Sequence, residues 1–363
     1  MIEEQRALRF LSRRGTRDAA GELRRLSEAL APDTETDQYG EGAVITDLER
    51  EVAALLGKDA AIFAVSGKAA QLSALRVHAD RRGRTAVAAH PRSHIVEDEK
   101  DAIGTLYGLR VARVGALNTP FSAADVEAVR EPLAAVVVEL PLRRAGYRVP
   151  PWDELVAIGD VTRRLGAAFH LDGARLWEAA PGYGRTPAEI AALADTVYVS
   201  FYKGLQGLAG AALAGDAETI AAARVWIERA GSIPYRAYPY AVAAREGLRR
   251  ELPRMAEYHV RAALIAAALR EVPGIGVSTD PPACNAFAVF LRGDRTALFA
   301  ARDAVEAAHG IQLFGPNLTA TPDPNVWSFE LAVGPDTLAI DVAEIRAAFA
   351  DLIARTVSRM CSA

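Results

Sequence analysis

The segment from Leu133 to Asp172 constrains the fold of this chain more than any other. An apolar run, LAAVVVEL, begins at Leu133; an amphipathic stretch, WDELVAIGDVTRRLG, begins at Trp152; and a second apolar run, AAFHLD, ends at Asp172. Apolar runs without polar alternation are typical of strands that are buried on both faces, as parallel strands are. Strand, helix and strand in this order predict a parallel crossover. We therefore expect an α/β fold.

Two polar motifs each follow an apolar run. HLDGAR contains Asp172 and follows AAF, and SFYKG contains Lys203 and follows TVYV. At strand ends, Asp172 and Lys203 would lie where α/β sheets bind their ligands. Pyridoxal phosphate needs such a pair, because a lysine amine forms a Schiff base with its aldehyde and a carboxylate keeps its pyridine nitrogen protonated. The alternative is an acid and a surface lysine that end two ordinary strands.

A third motif indicates a phosphate site. The apolar run AAIFAV leads into Ser66, Gly67 and Lys68, and the apolar helical pattern KAAQLSALRVHA follows at once. Backbone N–H groups at the start of a helix can hold a phosphate. The tripeptide is not a Walker motif, and its alternative reading is a plain turn between a strand and a helix.

Composition limits the class of protein. With 363 residues, 51% of them hydrophobic, the chain is long enough for one large domain and a smaller one. A net charge of -4 and scattered arginines give no basic stripe, so we expect no nucleic-acid partner. The N-terminal residues have no apolar signal core, and no stretch reaches the roughly 18 apolar residues of a membrane span. We therefore expect a cytoplasmic protein that does not enter a membrane. The cysteines and histidines lack metal-ligand spacing, so no metal site is expected.

An ordered series of motifs carries a family resemblance over most of the chain. Its members are YGEG at Tyr39, LEREVAALLGKDAAIFAVSG at residues 48–67, SHI at Ser93, HLDGAR at His170 and SFYKGL at Ser200. In these the chain resembles the low-specificity threonine aldolases and the wider aromatic amino acid β-eliminating lyases, which have the aspartate aminotransferase fold. The resemblance implies fold type I of the pyridoxal phosphate enzymes: a large domain with a mostly parallel mixed sheet between helices, and a smaller C-terminal α/β domain.

The resemblance also implies domains and site residues. An N-terminal helix and loop would occupy residues 1–44, the large cofactor-binding domain residues 45–245, and the small domain residues 246–363. Lys203 would hold the cofactor, Asp172 would face the pyridine nitrogen, Arg175 would lie near the phenolic oxygen and His94 would stack on the ring and move a proton. The remaining cofactor-binding residues would be Ser66, Gly67, Lys68, Ser200 and Arg236, and the substrate-binding residues would include Ser12 and Tyr39.

Two of these assignments have structural alternatives. His94 lies in the loop sequence HPRSHIVEDEK, where it would otherwise be a capped or exposed histidine. Arg175 lies three residues before Glu178, with which it would otherwise form an ion pair.

The activity that the resemblance implies is a lyase reaction on a small amino acid. The Cα–Cβ bond of a β-hydroxy-α-amino acid would break to release an aldehyde. The alternatives are β-elimination or carbanion transfer in a specialised pathway, since binding geometry selects the bond that breaks. A further alternative is a pyridoxal phosphate-binding protein without catalysis. Family members are usually homodimers or homotetramers with shared sites, which the resemblance implies here too.

Departures from the family pattern lie on the substrate side. Glu330, in WSFELAV, stands where the aldolases carry an arginine that binds the substrate carboxylate, and the Asn, Thr and His that follow the family glutamate are replaced after Glu139 by Leu140, Pro141 and Leu142. We hypothesise that the cofactor half of the site is retained and the substrate half is rebuilt. The substrate would then have a cationic or hydroxyl group on the side of Glu330, or its carboxylate would be held by another residue, such as Arg143, Arg144 or Arg148. Alternatively, Glu330 is a misaligned surface residue.

Overall fold

The computed structural model describes residues 8–12 and 18–361. In chain order the strands are β1 (Arg9–Phe10), β2 (Ala60–Ala64), β3 (Ala86–Ala89), β4 (Arg110–Arg113), β5 (Leu133–Glu139), β6 (Ala168–Gly173), β7 (Thr196–Ser200), β8 (Ala211–Gly215), β9 (Ile275–Val277), β10 (Ala286–Arg292), β11 (Ile311–Gln312), β12 (Thr319–Ala320) and β13 (Val326–Ala332). The helices are α1 (Ala19–Glu28), α2 (Ala43–Leu56), α3 (Gly67–Arg82), α4 (His94–Glu97), α5 (Ala102–Thr105), α6 (Ala123–Glu127), α7 (Trp152–Arg164), α8 (Leu176–Tyr183), α9 (Pro187–Ala191), α10 (Ala217–Arg229), α11 (Tyr238–Arg250), α12 (Met255–Arg270), α13 (Arg295–His309), α14 (Pro335–Leu338) and α15 (Val342–Cys361).

The chain divides into two compact units. The larger unit runs from Gly15 to Met255, and the smaller unit combines Met1–Arg14 with Ala256–Ala363. Within the described residues, the larger unit contains a seven-stranded sheet in the order β2-β8-β7-β6-β5-β3-β4. Strand β8 is antiparallel to both of its neighbours, and the other pairs are parallel. This confirms the predicted mostly parallel mixed sheet. The three-part division of the chain stays a prediction.

The carboxyl ends of the parallel strands meet at one edge of this sheet. Because β8 is antiparallel to both β2 and β7, those two strands run in the same direction, and Ala64 and Ser200 both pair with Ala211. One step further along the sheet, Glu139 pairs with Asp172. The loops that leave this edge therefore carry the motifs that the sequence singled out.

Apolar side chains on both faces hold the sheet between helices. Every residue of β5 is buried, as its uninterrupted apolar run predicted. Helix α3 contributes to the core on two sides, since Leu72 and Leu75 pack in one cluster while Ala70 and Ala74 pack in another. Each large aliphatic side chain buried in this way contributes roughly 1.5–3 kcal/mol to folding. The helices thus bury both faces of the sheet whose edge carries the motifs.

The smaller unit has a core of its own. Strands β12, β13, β10 and β9 form an antiparallel sheet, and β1 pairs with β11 in parallel. Helices α13 and α15 pack together, and the rings of Phe329 and Phe349 stack with centroids 6.3 Å apart. This confirms the smaller C-terminal α/β part of the predicted fold. Of the helices that the structure describes, none is both long enough and apolar enough to cross a membrane.

Candidate active site

Asp172 ends β6 as a buried carboxylate. It is 1% exposed, and the N–H of Ala174 donates to Oδ1 at 3.2 Å. Burial raises the pKa of Asp172, while the positive charges of Lys203 and His94 oppose that shift. The pKa of Asp172 thus responds to the charges of both Lys203 and His94, and the roles predicted for the three residues stay predictions.

Lys203 lies in the turn that follows β7. Burial, helped by the charge of Arg175, lowers the pKa of Lys203, and Asp172 acts in the opposite direction. A lowered pKa increases the fraction of neutral amine, which is the form that attacks a carbonyl carbon. Nearby, the Ser200 hydroxyl donates to the Ala174 carbonyl at 2.7 Å, which ties the end of β7 to the turn after Asp172.

Arg175 and Glu178 form a buried ion pair behind Lys203. The guanidinium lies 3.7 Å from the Glu178 carboxylate, and the two side chains are 5% and 1% exposed. This is the structural alternative foreseen for Arg175. Glu178 also accepts a hydrogen bond of 2.8 Å from the N–H of Gly204. A Cβ at Gly204 would lie 2.6 Å from the Glu178 carboxyl group, so glycine is needed for this close approach. Glu178 thus holds both Arg175 and the turn that carries Lys203.

The predicted phosphate turn forms the start of α3. Ser66 is the N-cap, and its hydroxyl accepts from the N–H of Ala69 at 3.4 Å. Among the described residues, nothing accepts a hydrogen bond from the N–H groups of Gly67 and Lys68 or from the Lys68 ammonium group. Two unpaired N–H groups at the start of a 16-residue helix, together with a cation, form an anion-binding arrangement. Since β2 and β7 end at one edge, this turn lies on the same side of the sheet as Lys203.

A buried carboxylate holds the imidazole of His94. Nδ1 of His94 lies 3.0 Å from Oε1 of Glu99, and Nε2 of Gln71 donates to the same oxygen at 2.9 Å. Glu99 is 1% exposed, whereas the side chain of His94 is 38% exposed. The hydrogen bond to Glu99 raises the pKa of His94 despite partial burial. Because Nδ1 donates to Glu99, Nε2 is the nitrogen that can exchange a proton with a ligand.

Glu139 ties the His94 helix to the neighbouring strand end. One of its oxygens accepts from the N–H of His94 at 2.7 Å and the other from the N–H of Arg143 at 3.1 Å. Burial, reinforced by the charge of Asp172, raises the pKa of Glu139 to about 7. The Glu139 carboxylate thus holds the main chain at both His94 and Arg143.

Five charged residues contact one another on or beside the His94 helix, and we call them the rim cluster: Arg92, Glu97, Asp98, Arg143 and Arg144. Nε of Arg144 donates to Asp98 at 3.1 Å, and its other terminus bonds the second oxygen of Asp98. Arg144 also lies 3.5 Å from Glu97, which lies 3.6 Å from Arg92. Arg143 approaches Asp98 only to 4.0 Å. These side chains are about one-third exposed, apart from the more buried Asp98.

Tyr39 and Arg236 lie together on the larger unit. The rings of Tyr39 and Tyr235 meet edge to face with centroids 5.2 Å apart, and Tyr39 is 60% exposed. Arg236 donates to the carbonyl of Asp37, a buried residue whose carboxylate accepts from the N–H groups of Ala237 and Tyr238. The roles predicted for Tyr39 and Arg236 stay predictions.

Ser12 and Glu330 belong to the smaller unit. The Ser12 hydroxyl accepts from the N–H of Ala332 at 2.9 Å, and Glu330 pairs with Ala288 across two antiparallel strands. Their predicted contact with substrate stays a prediction. In the part of the chain that the structure describes, no group of three or more histidine, cysteine or acidic side chains could hold a metal ion.

Sequence reasoning did not predict the contacts through which three carboxylates organise the site: Glu99, Glu139 and Glu178. Each is nearly or fully buried, and each accepts a hydrogen bond from a different segment of the chain. Their sequence signal is weak, since Glu99 lies in the polar run EDEKD and Glu178 in an amphipathic helix. Only Glu139, which ends a fully apolar run, was visible as an acid at a strand end.

These groups fit pyridoxal phosphate. The half-buried Lys203 and the buried Asp172 match the aldehyde and the pyridine nitrogen of the cofactor, and the unpaired N–H groups at the start of α3 match its phosphate. The assignment of each residue to a part of the cofactor stays a prediction.

Comparisons with known proteins identify the family of this chain. The family model described as beta-eliminating lyase matches residues 19–293. Low-specificity L-threonine aldolase 1 of Arabidopsis thaliana is 28% identical over 258 residues, which are 68% of this chain and 71% of that protein.

Two solved structures are similar over nearly the whole chain. A Listeria monocytogenes protein, provisionally assigned as an L-allo-threonine aldolase, is 34% identical, with a TM-score of 0.92 and 97% of both chains covered. An Exiguobacterium protein, provisionally assigned as an aromatic amino acid beta-eliminating lyase or threonine aldolase, is also 34% identical, with a TM-score of 0.91 and 97% and 98% covered. The chain therefore belongs to the beta-eliminating lyase family, as a fold type I lyase of the threonine aldolase group that uses pyridoxal phosphate.

Proposed function

We propose that this protein cleaves the Cα–Cβ bond of a β-hydroxy-α-amino acid, releasing an aldehyde and glycine, and that its substrate is atypical. The observation that carries this proposal is the imidazole of His94, which is backed by buried Glu99 and grouped electrostatically with Asp172 and Lys203. Aldol cleavage needs a base that takes the proton of the β-hydroxyl group close to the cofactor ring, which withdraws electrons. The imidazole of His94 can be that base.

Each residue has a distinct task. Pyridoxal phosphate, when bound, supplies the electron sink for the carbanion that bond cleavage leaves at Cα. Lys203 would hold the cofactor covalently, and its depressed pKa keeps part of the amine neutral for that bond. Asp172 would hold a proton on the pyridine nitrogen. Nε2 of His94 accepts the proton from the β-hydroxyl oxygen as the carbonyl of the aldehyde forms, while Glu99 stabilises the resulting imidazolium.

The relatives support this reaction, and two positions support an atypical substrate. The similar Listeria and Arabidopsis proteins are described as aldolases for allo-threonine and threonine. By the resemblance, Leu142 stands where a histidine follows the family glutamate, and Glu330 stands where the family has its carboxylate-binding arginine. A glutamate repels a carboxylate, so we infer a different anchor for the substrate.

Aldehyde release tests the proposal. The holoenzyme is incubated with threonine, allo-threonine and phenylserine, and the aldehyde and glycine formed are measured, with Lys203→Ala as the blank. We expect equal amounts of aldehyde and glycine from at least one of the three. No aldehyde from any of them would count against aldol cleavage. Turnover of threonine at the rate of ordinary aldolases would contradict the atypical substrate.

The second candidate is β-elimination, which Leu142 favours because the site then has one histidine fewer to deprotonate a hydroxyl group. The products separate the two reactions: elimination gives a 2-oxo acid and ammonia, and cleavage gives an aldehyde and glycine.

We also propose that the protein acts as a homodimer or homotetramer. Tyr39 and Tyr235 are 60% and 49% exposed, and an exposed aromatic pair is typical of a protein interface. Light scattering on the purified holoenzyme gives the mass; a monomer at all concentrations would contradict this proposal.

A further inference from the structure

We propose that Gln71 is a positioning residue for the reaction, because its side chain holds Glu99 against the imidazole of His94. This inference rests on the proposed function, in which His94 is the base, and it names a residue that controls that base. It begins from a buried amide on α3 to which the mechanism assigns no task.

Gln71 connects the pair of His94 and Glu99 to a long helix. Nε2 of Gln71 donates to Oε1 of Glu99 at 2.9 Å, and the same oxygen lies 3.0 Å from Nδ1 of His94. Gln71 and Glu99 are each 1% exposed. His94 and Glu99 are five residues apart, so their own hydrogen bond does not attach either side chain to another element. The amide of Gln71 supplies that attachment for Glu99, as Glu139 does for the main chain of His94.

The same helix carries the predicted phosphate turn. Helix α3 begins at Gly67, and Gln71 follows in its second turn. Residues three and four apart lie on one face of a helix, so Gln71 lies on the same face of α3 as Gly67 and Lys68. The helix whose start is suited to an anion therefore also holds the carboxylate behind the proposed base.

Stability alone does not favour an amide at this position. In the part of the chain that the structure describes, Oε1 of Gln71 accepts no hydrogen bond, although it is buried. A buried acceptor without a partner destabilises a fold, and an apolar side chain would avoid that cost. What the amide provides is a donor without a positive charge. It holds the Glu99 carboxylate and leaves the negative charge to act on the imidazole.

The path from Gln71 to His94 runs through Glu99. Among the described residues, the side chain of Gln71 forms no hydrogen bond to any other charged group. The other charged groups that face His94 are Asp172, Lys203, Glu139 and Asp98. A change confined to the amide of Gln71 leaves these groups in place, so its effect on the imidazole is an effect through Glu99.

The first test measures the imidazole without turnover. Gln71→Met removes the donor and keeps a side chain of similar length, and Ser73→Ala removes another buried polar group of α3, which lies 3.4 Å from the Tyr107 hydroxyl. Nitrogen-15 spectra of the histidine-labelled holoenzyme show which ring nitrogen of neutral His94 carries the proton, with His94→Asn identifying its signals. We expect the proton on Nδ1 in the wild type and in Ser73→Ala, and a mixture of both tautomers in Gln71→Met.

The second test measures aldehyde release. We expect Gln71→Met to lower kcat about fivefold to tenfold, the loss of about one hydrogen bond. The rise of kcat/KM with pH should begin at lower pH, because a carboxylate that is no longer held in place stabilises the imidazolium less. In a Glu99→Gln background the same substitution should lower kcat by less than about twofold, since Gln71 acts through Glu99.

The outcomes separate this inference from the proposed function. A wild-type tautomer and pH profile in Gln71→Met, or an undiminished loss in the Glu99→Gln background, would overturn the role of Gln71. If Gln71→Met does not fold, Gln71→Asn takes its place, because its amide is one methylene shorter and reaches less far toward Glu99. Aldehyde release from no substrate, together with a changed tautomer in the variant, would contradict the proposed function and leave the positioning of His94 by Gln71 in place.

Discussion

Charged side chains are held differently in two regions of the site: the rim cluster, and the cofactor end, by which we mean Asp172, Arg175 and Glu178. The side chains of the cofactor end are almost completely buried, and their partners are backbone groups or other buried charges. In the rim cluster, Arg143 and Arg144 are about one-third exposed, and their partners are nearby acids. Buried pairs are costly to break, whereas exposed pairs contribute up to about 1 kcal/mol. We infer that the rim cluster can change without loss of the fold, while the cofactor end cannot.

The largest expected effect is at Asp172. Asp172→Asn removes the charge but retains an acceptor for the N–H of Ala174, so the turn should survive. We expect kcat/KM for aldehyde release to fall by about 10²- to 10³-fold, because a preorganised charge at the reacting system is lost. The matched control is Asp195→Asn, just before β7, whose carboxylate accepts from the N–H of Phe169 near the start of the strand that ends with Asp172 and Gly173. Similar losses in both variants would contradict the role of Asp172.

The second prediction compares the two regions directly by stability. Glu178→Gln weakens the buried pair with Arg175, and we expect it to lower the free energy of unfolding by about 2–4 kcal/mol. Glu97→Gln in the rim cluster should change it by less than about 1 kcal/mol. Urea unfolding of both variants in one buffer measures the difference. Equal losses would remove the distinction between the cofactor end and the rim cluster.

The third and smallest effect concerns pH. The hydrogen bond to Glu99 raises the pKa of His94, so Glu99→Gln should lower that pKa. If neutral His94 is the base, kcat/KM rises as pH rises through its pKa, and the variant should begin this rise at lower pH. We also expect a fall of about tenfold in kcat, since the imidazolium loses its counter-charge. Glu97→Gln, on the same short helix, should leave the pH profile in place. A profile that does not move in Glu99→Gln would show that Glu99 does not act through His94.

Sequence patterns predicted the elements and the edge where the site lies. The apolar runs of β5 and β6 and the helix between them were visible because burial on both faces leaves no polar alternation. Asp172 and Lys203 were visible because each directly follows such a run.

The contacts of the supporting carboxylates were not visible. Glu99, Glu139 and Glu178 accept from residues that lie far from them in the sequence, and the pairing of strands decides which residues come close. The antiparallel direction of β8 was not predictable from the sequence either, because a short apolar strand has the same residue pattern in either direction.

The most direct test of the central claim is the absorbance spectrum of the purified protein with pyridoxal phosphate, for the wild type and for Lys203→Ala. If Lys203 holds the cofactor beside Asp172, the wild type will have a visible band that persists after gel filtration. The variant will lose that band while keeping the far-ultraviolet circular dichroism of the wild type. A wild type without the band, or a variant with the same band, would contradict the account.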